Sequence, residues 1–253
     1  MAKLSVAIIT FNEERNIERC LQSLTRVADE IVVVDSFSTD TTKAICNRYN
    51  VVFSEHVFEG YTEQKNRAAA LCSNELILSL DADEALSTEL EQSILEVKKQ
   101  PQADAYTFNR ATHFCGQHIK GCGWYPDANI RLWKANAGQW TGSKVHEKFT
   151  LKAEAKIQHI KGDLLHYSYY SIEEHIAQIN KFSTLSALKK FEKGKRSSIL
   201  AITLFPRWRF FRDYIIKRGF LDGYYGYVIS KNAAHEVFLK YTKLRDLWKN
   251  NQH

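Results

Sequence analysis

Asp81-Ala82-Asp83 follows directly on the apolar run Leu76-Ile77-Leu78-Ser79-Leu80. Two carboxylates alternating along an extended loop can aim at one hard divalent cation. Such a cation bridges and neutralises a diphosphate and makes it a better leaving group. The same acids would also serve as turn residues, or as the negative charge that favours a following helix N-terminus. The pair therefore does not decide by itself. Glycine-rich phosphate cradles are missing. There is no G-x-G-x-x-G and no G-x-x-x-x-G-K-[ST], and Gly121-Cys122-Gly123 lacks the third glycine and the strand–turn–helix context. A dinucleotide dehydrogenase or a P-loop NTPase is thereby disfavoured.

The elements that must position these acids alternate over the first hundred residues. Leu4 to Ile9 reads as a strand. Ile17, Cys20, Leu21 and Leu24 recur at the spacing of one helical face. Ile31-Val32-Val33-Val34 is apolar on both faces, as a central parallel strand requires. Ser38 is placed to cap a helix running to about Tyr49. Val51 to Phe53 is a third strand, Thr62 to Cys72 a helix, and Glu75 to Leu80 a fourth strand. Thr88 with Glu91 forms a capping-box pattern, and Pro101 stops that helix. This order predicts an α/β fold with a mostly parallel sheet and right-handed crossovers. Ligands of such sheets bind at the carboxyl ends of strands, where Thr10, Asp35 and Asp81 all fall. Beyond Pro101, Ala105 to Arg110 and Ile130 to Trp133 read as strands around an aromatic loop, His113 to Asp127. A further helix begins at Ser171, with Glu174 in capping position.

The chain has 253 residues, 44% apolar and 25% charged, with 11 Gly and 3 Pro. That composition excludes disordered and collagen-like classes. Its five cysteines are odd in number and contain no C-x-x-C, so neither a disulfide scaffold nor a zinc knuckle fits, and free thiols in a reducing compartment are expected. The opening residues read as a first strand and not as a signal peptide. No apolar run approaches the roughly 20 residues of a spanning helix. Charge is uneven. Residues 1–180 carry 19 Lys and Arg against 24 Asp and Glu, whereas residues 181–253 carry 16 against 5.

Four stretches occur in order: Thr10-Phe11-Asn12-Glu13-Glu14, Val34-Asp35-Ser36 through Thr41, Gln64-Lys65-Asn66-Arg67, and Asp81-Ala82-Asp83. Together they resemble the nucleotide-binding half of family 2 glycosyltransferases. More narrowly, later stretches resemble the bacterial lipopolysaccharide core glycosyltransferases of that family. These are Trp124-Tyr125-Pro126-Asp127, Arg131-Leu132-Trp133, Val145-His146-Glu147, Leu165-His166-Tyr167-Ser168 and Gly219-Phe220-Leu221-Asp222-Gly223. The resemblance implies a GT-A fold, a UDP-sugar donor and Mg²⁺ or Mn²⁺ as cofactor. It places Thr10, Asn12, Glu14, Asp35 and Ser36 around base and ribose, and Lys65 on the nucleotide. Asp81 would meet the ribose or the metal, and Asp83 would ligate the metal directly.

Relatives invert the anomeric centre, so a carboxylate must accept the proton of the attacking hydroxyl. Glu147 is the first candidate for that base and Asp127 the second. His166 would complete the metal shell or serve a structural role. Arg131 would clamp a phosphate or pair with a neighbouring acid, and Arg67 would reach the nucleotide or lie on a solvated face. Trp124, Tyr125, Trp133 and Trp140 suit either sugar stacking or core packing.

The basic end of the chain predicts a partner. Leu204, Trp208, Phe211 and Ile215 share a helical face, joined by Phe210 and Tyr214 and surrounded by Arg207, Arg209, Arg212, Lys217 and Arg218. Such a helix suits an anionic membrane interface. No nucleic-acid motif accompanies the charge. The expectation is a nucleotide-binding half over 1–100, an acceptor and catalytic half over 101–180, and a basic amphipathic helical extension over 181–253. The protein would transfer a hexose from a UDP-sugar, with inversion, to a lipid-linked saccharide of the lipopolysaccharide core, as a cytoplasmic enzyme peripheral on the inner face of the cytoplasmic membrane. The rival readings are a sugar-phosphate nucleotidyltransferase and a non-catalytic nucleotide-binding module that docks on membranes.

Overall fold

The computed structural model describes residues 1–143 and 146–251. Strand β1 (Leu4–Thr10) is buried throughout. Its alternate side chains feed two cores, Leu4, Val6 and Ile8 on one face and Ala7 and Ile9 on the other. Burial on both faces is the signature of a parallel strand inside layered α/β structure. Helix α1 (Ile17–Leu24) buries the predicted stripe of Ile17, Cys20, Leu21 and Leu24. Then come β2 (Glu30–Asp35), α2 (Thr42–Cys46), β3 (Val52–Glu55), α3 (Tyr61–Ala70), β4 (Leu76–Asp81), β5 (Glu84–Leu86) and α4 (Thr88–Lys99).

Two expected caps are replaced. Ser38 caps no helix. Its backbone N–H and hydroxyl both donate to the Asp35 carboxylate, and α2 begins only at Thr42. The N-cap of α4 is Ser87, whose hydroxyl oxygen accepts from the Leu90 N–H at 3.2 Å, one residue ahead of Thr88. The remaining elements are β6 (Ala105–Phe114), β7 (Gln117–His118), β8 (Ala128–Lys134), β9 (Gly138–Ser143), β10 (His146–Leu151), β11 (Ile157–Tyr169), α5 (Ile172–Glu192), α6 (Ile199–Phe211) and α7 (Gly223–Asn250). A π-helical turn (Arg212–Ile216) and a 3₁₀ turn (Gly219–Asp222) join α6 to α7.

The chain forms two compact units, one of residues Met1–Arg110 with Asp127–Tyr167 and one of Ala111–Pro126 with Ser168 onward. Helix α5 therefore groups with the helices after it and with the aromatic loop. In the first unit the strands run in the order β3-β2-β1-β4-β8-β6-β11-β5. The pairs β2–β3, β1–β2 and β1–β4 are parallel, while β8 joins β4 and β6 antiparallel. Register sets Thr10 opposite Asp35 and Ile9 opposite Asp81. The carboxyl ends of β1, β2 and β4 thus meet at one edge, as the alternation predicted.

In the helical unit, α7 packs against both α5 and α6. Its first turn approaches the 3₁₀ turn so closely that a Cβ on Gly226 would lie 1.8 Å from the Gly219 carbonyl oxygen. Asp222 accepts from the N–H groups of Lys120 at 2.9 Å and Gly121 at 2.6 Å. The Gly219–Gly223 stretch is therefore a clasp that fixes the aromatic loop. Apolar side chains nearby face outward. Trp208 is 57% exposed, Leu221 68% and Tyr224 67%, whereas Asp213 and Asp222 are buried. Among the described residues no helix is long and apolar enough to cross a membrane.

Candidate functional site

A cavity of about 500 Å³ opens at the carboxyl ends of β1, β2 and β4, with Thr10, Ser36, Asp81 and Asp83 in its wall. A short loop puts Asp83 two residues past the end of β4. The backbone N–H of Tyr167 on β11 donates to the Asp83 carbonyl at 3.0 Å and fixes that loop. The same strand brings in His166, whose Nε2 lies 3.1 Å from Asp83 Oδ2. Burial opposes charge on this imidazole, but the hydrogen bond and charge of Asp83, with Glu84 behind it, raise its pKa above the ordinary value.

Asp81 anchors a buried ion network. Lys65 Nζ donates to its Oδ2 at 3.2 Å and reaches Glu147 Oε1 at 3.4 Å. Arg131 lies 3.4 Å from Asp81 and 3.0 Å from Glu84. Glu84 also accepts from the Asp81 N–H at 2.9 Å. Burial alone would raise the Asp81 pKa, yet Lys65 and Arg131 outweigh it and hold the carboxyl well below the usual range. Glu84 moves the other way, pushed up by burial and by the Asp81 charge despite Arg131. Asp81 Oδ1 lies 3.1 Å from Lys65 Nζ but makes no hydrogen bond, and it is buried. The two lysine and arginine cations thus leave the acids at this edge in excess.

The structure sorts the expected site residues. It brings together Thr10, Ser36, Lys65, Asp81, Asp83, His166 and Glu147. It turns Asn12, Glu14 and Asp35 elsewhere. Asn12 Oδ1 accepts from the Thr39 N–H at 2.8 Å, and Glu14 Oε2 accepts from the Thr41 N–H at 3.1 Å and hydroxyl at 2.7 Å. Both side chains lace the loop after β1 to the loop after β2. Both Asp35 oxygens are taken by Ser38, and the residue is fully buried. Arg131 clamps acids and does not line the cavity. Arg67 is paired with Gln64 and Glu59. Asp127 is held by Arg110 at 2.8 Å and Asn129 at 2.9 Å, away from the cavity wall. Trp133 and Trp140 pack with Phe149 in the core, with centroids 4.1 and 5.6 Å from its ring.

Glu13 and Gln64 are among the cavity residues that the sequence reading does not single out, as are Phe11, Phe58 and Tyr61. Glu13 lines the cavity where Asn12 and Glu14 do not. The backbone at Asn12, two residues past the end of β1, turns left-handed, φ 53°, and its neighbours Phe11 and Glu13 join Ile9 and Thr10 in the wall. Burial pushes the Glu13 pKa up to about 7, against the Asn16 hydrogen bond and with the help of Asp83. Gln64 is fully buried, and its amide donates to the Ser36 hydroxyl at 3.0 Å. A Gln next to a lysine on a helix gives no sequence signal for either role.

Residues 5–147 match the model of the Glycosyl transferase family 2 family. The chain belongs to that family. This glycosyltransferase is 32% identical to an uncharacterized glycosyltransferase of Rickettsia bellii, over 97% of this chain and 87% of that protein. It is also 32% identical to the lipopolysaccharide core biosynthesis glycosyltransferase LpsC of Rhizobium meliloti, over 95% of this chain and 91% of that one. Among solved structures, S. aureus TarS 1–349 in complex with UDP overlays with a TM-score of 0.48 at 16% identity, covering 99% of this chain and 92% of that one. The strand-end cavity sits on the GT-A scaffold that the sequence predicted, with the helical unit as its C-terminal extension.

Proposed function

We propose that this glycosyltransferase moves a hexose from a UDP-sugar to a lipid-linked saccharide, in lipopolysaccharide core assembly, with inversion at the anomeric carbon. The observation that carries the reading is the convergence of Asp81, Asp83 and His166 on one strand-end cavity, with Lys65 linking Asp81 to Glu147. The likeness to LpsC supports the acceptor class.

The donor set fits a divalent cation. Asp81 Oδ1 is a buried acceptor without a hydrogen bond, Asp83 and His166 face the cavity, and the acids exceed the cations. Among the described residues no three His, Cys, Asp or Glu form a ready cage. Mg²⁺ is commonly held by one or two carboxylates and completed by substrate phosphates. Asp83 would hold the ion, with Asp81 and His166 supporting. When bound, the ion supplies charge neutralisation to the departing diphosphate.

The chain's own residues then do the rest. Thr10, Ser36 and Glu13 bind the nucleoside. Lys65 holds Asp81 and Glu147 in one arrangement. Glu147 takes the proton of the acceptor hydroxyl while that oxygen bonds to the anomeric carbon, and the bond from that carbon to the UDP oxygen breaks on the opposite face. The carbon passes through an oxocarbenium-like state. Glu147 is favoured over Asp127, because both Asp127 oxygens are engaged by Arg110 and Asn129.

The exposed Trp208, Phe211, Ile215 and Leu221, with basic neighbours and the nearby acids buried, suit an anionic membrane surface, the cytoplasmic face where a lipid-linked acceptor is carried. The test is turnover. The protein is incubated with a panel of UDP-hexoses, Mn²⁺ or Mg²⁺, and a truncated lipopolysaccharide acceptor in anionic vesicles. Transfer with inversion, read by NMR of the product linkage, is expected. Absence of transfer from every donor in the panel would sink the reading.

A further inference from the structure

A second cavity, of about 180 Å³, lies in the helical unit. Its wall is built from Trp124 on the aromatic loop, Tyr169 at the end of β11, His175 and Gln178 on α5, Arg209 on α6 and Glu236 on α7. Nothing in the donor chemistry uses these residues. At about 30 Å³ per water the space equals roughly six waters. That is one ring-sized guest, well below the roughly 300–1,000 Å³ of larger ligand sites.

Its aromatic side is preformed. The Tyr169 ring lies 4.7 Å from His175 and 6.0 Å from Trp124, centroid to centroid. Its polar side is held in place from behind. Arg209 Nε donates to the buried Asp213, which also binds Arg212. That anchor leaves the terminal guanidinium nitrogens as the part of Arg209 that can serve the cavity. The Tyr169 hydroxyl donates to Gln178 Oε1, so the amide is left to donate through Nε2. Asn232 Nδ2 lies 3.1 Å from His175 Nδ1, so that ring nitrogen accepts and Nε2 carries the proton. Burial lowers the His175 pKa to about 4, so the ring is neutral near pH 7.

We propose that this cavity is a saccharide subsite that holds one pyranose ring of a glycan, separate from the nucleotide-sugar cavity. A pyranose has C–H faces that rest on aromatic rings and a rim of vicinal hydroxyls. The planar fork of Arg209 and the carboxylate of Glu236 can each take two neighbouring hydroxyls, and Gln178 and His175 add fixed donors. An aromatic cage for a quaternary ammonium would need a wall free of positive charge, which Arg209 denies. The inference rests on the glycan-acceptor reading given above, since it supplies the glycan.

The experiment is saturation-transfer NMR on the full chain with the methyl α-pyranosides of glucose, mannose, galactose and L-glycero-D-manno-heptose. UDP binding is followed in parallel by thermal shift. At least one glycoside is expected to receive saturation through its ring protons. That transfer should fall at least tenfold in Glu236→Gln and in Gln178→Ala, both surface-reaching substitutions, and in Trp124→Ala where circular dichroism shows it folded. UDP stabilisation should stay as in the parent in all three. Transfer that persists in Glu236→Gln and Gln178→Ala, or no transfer to any glycoside, overturns the proposal. Loss of UDP binding by the parent protein would instead strike the donor reading and leave the cavity result standing.

Discussion

The two units of this glycosyltransferase handle charge in opposite ways. The sheet unit buries Lys65, Arg131 and Glu84 and cross-links them to the partly exposed Asp81 at one strand edge. The helical unit buries two acids, Asp213 and Asp222, as internal clasps, and leaves Trp208, Phe211, Ile215 and Leu221 outside. One unit stores electrostatic order around a cavity, the other presents apolar surface rimmed by cations. The contrast teaches that substitutions in the first should cost chemistry or fold, whereas substitutions on the exposed apolar face of the second should cost association alone.

The comparison breaks most visibly at Asp83. It is partly exposed in the cavity wall, where its carboxylate pairs with His166. Asp83→Ala should keep the fold and lower turnover by about 10⁴-fold, the several kcal/mol expected of lost metal-borne charge stabilisation. It should also abolish the part of UDP stabilisation that depends on Mn²⁺ or Mg²⁺ in a thermal-shift assay. Normal turnover would remove Asp83 from the site. Next comes Glu147→Gln, which should reduce turnover about 10³-fold while UDP affinity stays within roughly twofold. If turnover survives and Asp127→Asn abolishes it, the base role passes to Asp127.

Arg131 tests the storage claim without touching chemistry directly. Removing one partner of a buried ion cluster leaves uncompensated charge and costs about 3 kcal/mol. Arg131→Met should therefore lower the urea midpoint with an unchanged slope. The double substitution Arg131→Met with Glu84→Gln should recover part of that loss. Equal loss in single and double variants would show that packing of the arginine stem matters, and not its charge.

Much of this division is legible in the sequence, and the gaps have physical causes. The strand and helix order through Lys99, the short β5 excepted, follows from periodicity, because β1, β2 and β4 are apolar on both faces and α1 carries an unbroken i, i+3, i+4, i+7 stripe. Thr10 and Asp81 are legible as cavity residues because strand ends gather at one sheet edge, whereas Asp83, His166 and the partner of Asp81, Lys65, are legible only through the motif resemblance. Glu13 is not, because the motif resemblance points to Asn12 and Glu14, whose side chains instead bond to the loop after β2. Ser38 was misread as a cap, since the nearer Asp35 carboxylate captures both of its donors. In the tail, Trp208, Phe211 and Ile215 do face outward, but Phe210 and Tyr214 stack on each other at 5.3 Å and meet Tyr227. The cavity around Trp124 was illegible, because its wall joins residues separated by up to half the chain.

Glu13 sharpens the sheet-unit side through pH. Its folded pKa, about 7, lies above the ordinary 4.5, so the folded state binds the proton more tightly than the unfolded chain. Below pH 4.5 both states are protonated and there is no penalty. Between about pH 4.5 and 7 the unfolded chain gives up this proton while the folded protein keeps it, so stability falls across that window and levels off above it. Glu13→Gln should remove that decline. At pH 8 it should raise stability by about 3 kcal/mol, with little change at pH 4.5. Parallel pH profiles for parent and variant would show that Asn16 and solvent already satisfy the carboxylate.

The smallest effect is expected where the helical unit meets a membrane. Trp208 is 57% exposed, so Trp208→Ala should change stability by no more than about 0.5 kcal/mol. Its ring is a single interfacial anchor among several, and its loss should weaken binding to vesicles containing phosphatidylglycerol by about tenfold. Arg207→Gln removes one exposed cation and should cost about 1 kcal/mol of the same binding, an effect that high salt should erase while leaving the Trp208 effect in place. Salt separates the two contributions because exposed charges are screened within about 10 Å at 0.1 M, whereas apolar burial is not. If vesicle binding ignores both substitutions, the exposed apolar surface serves another contact. A concentration-dependent rise in mass by light scattering, abolished by Trp208→Ala, would then assign that contact to a second copy of the chain.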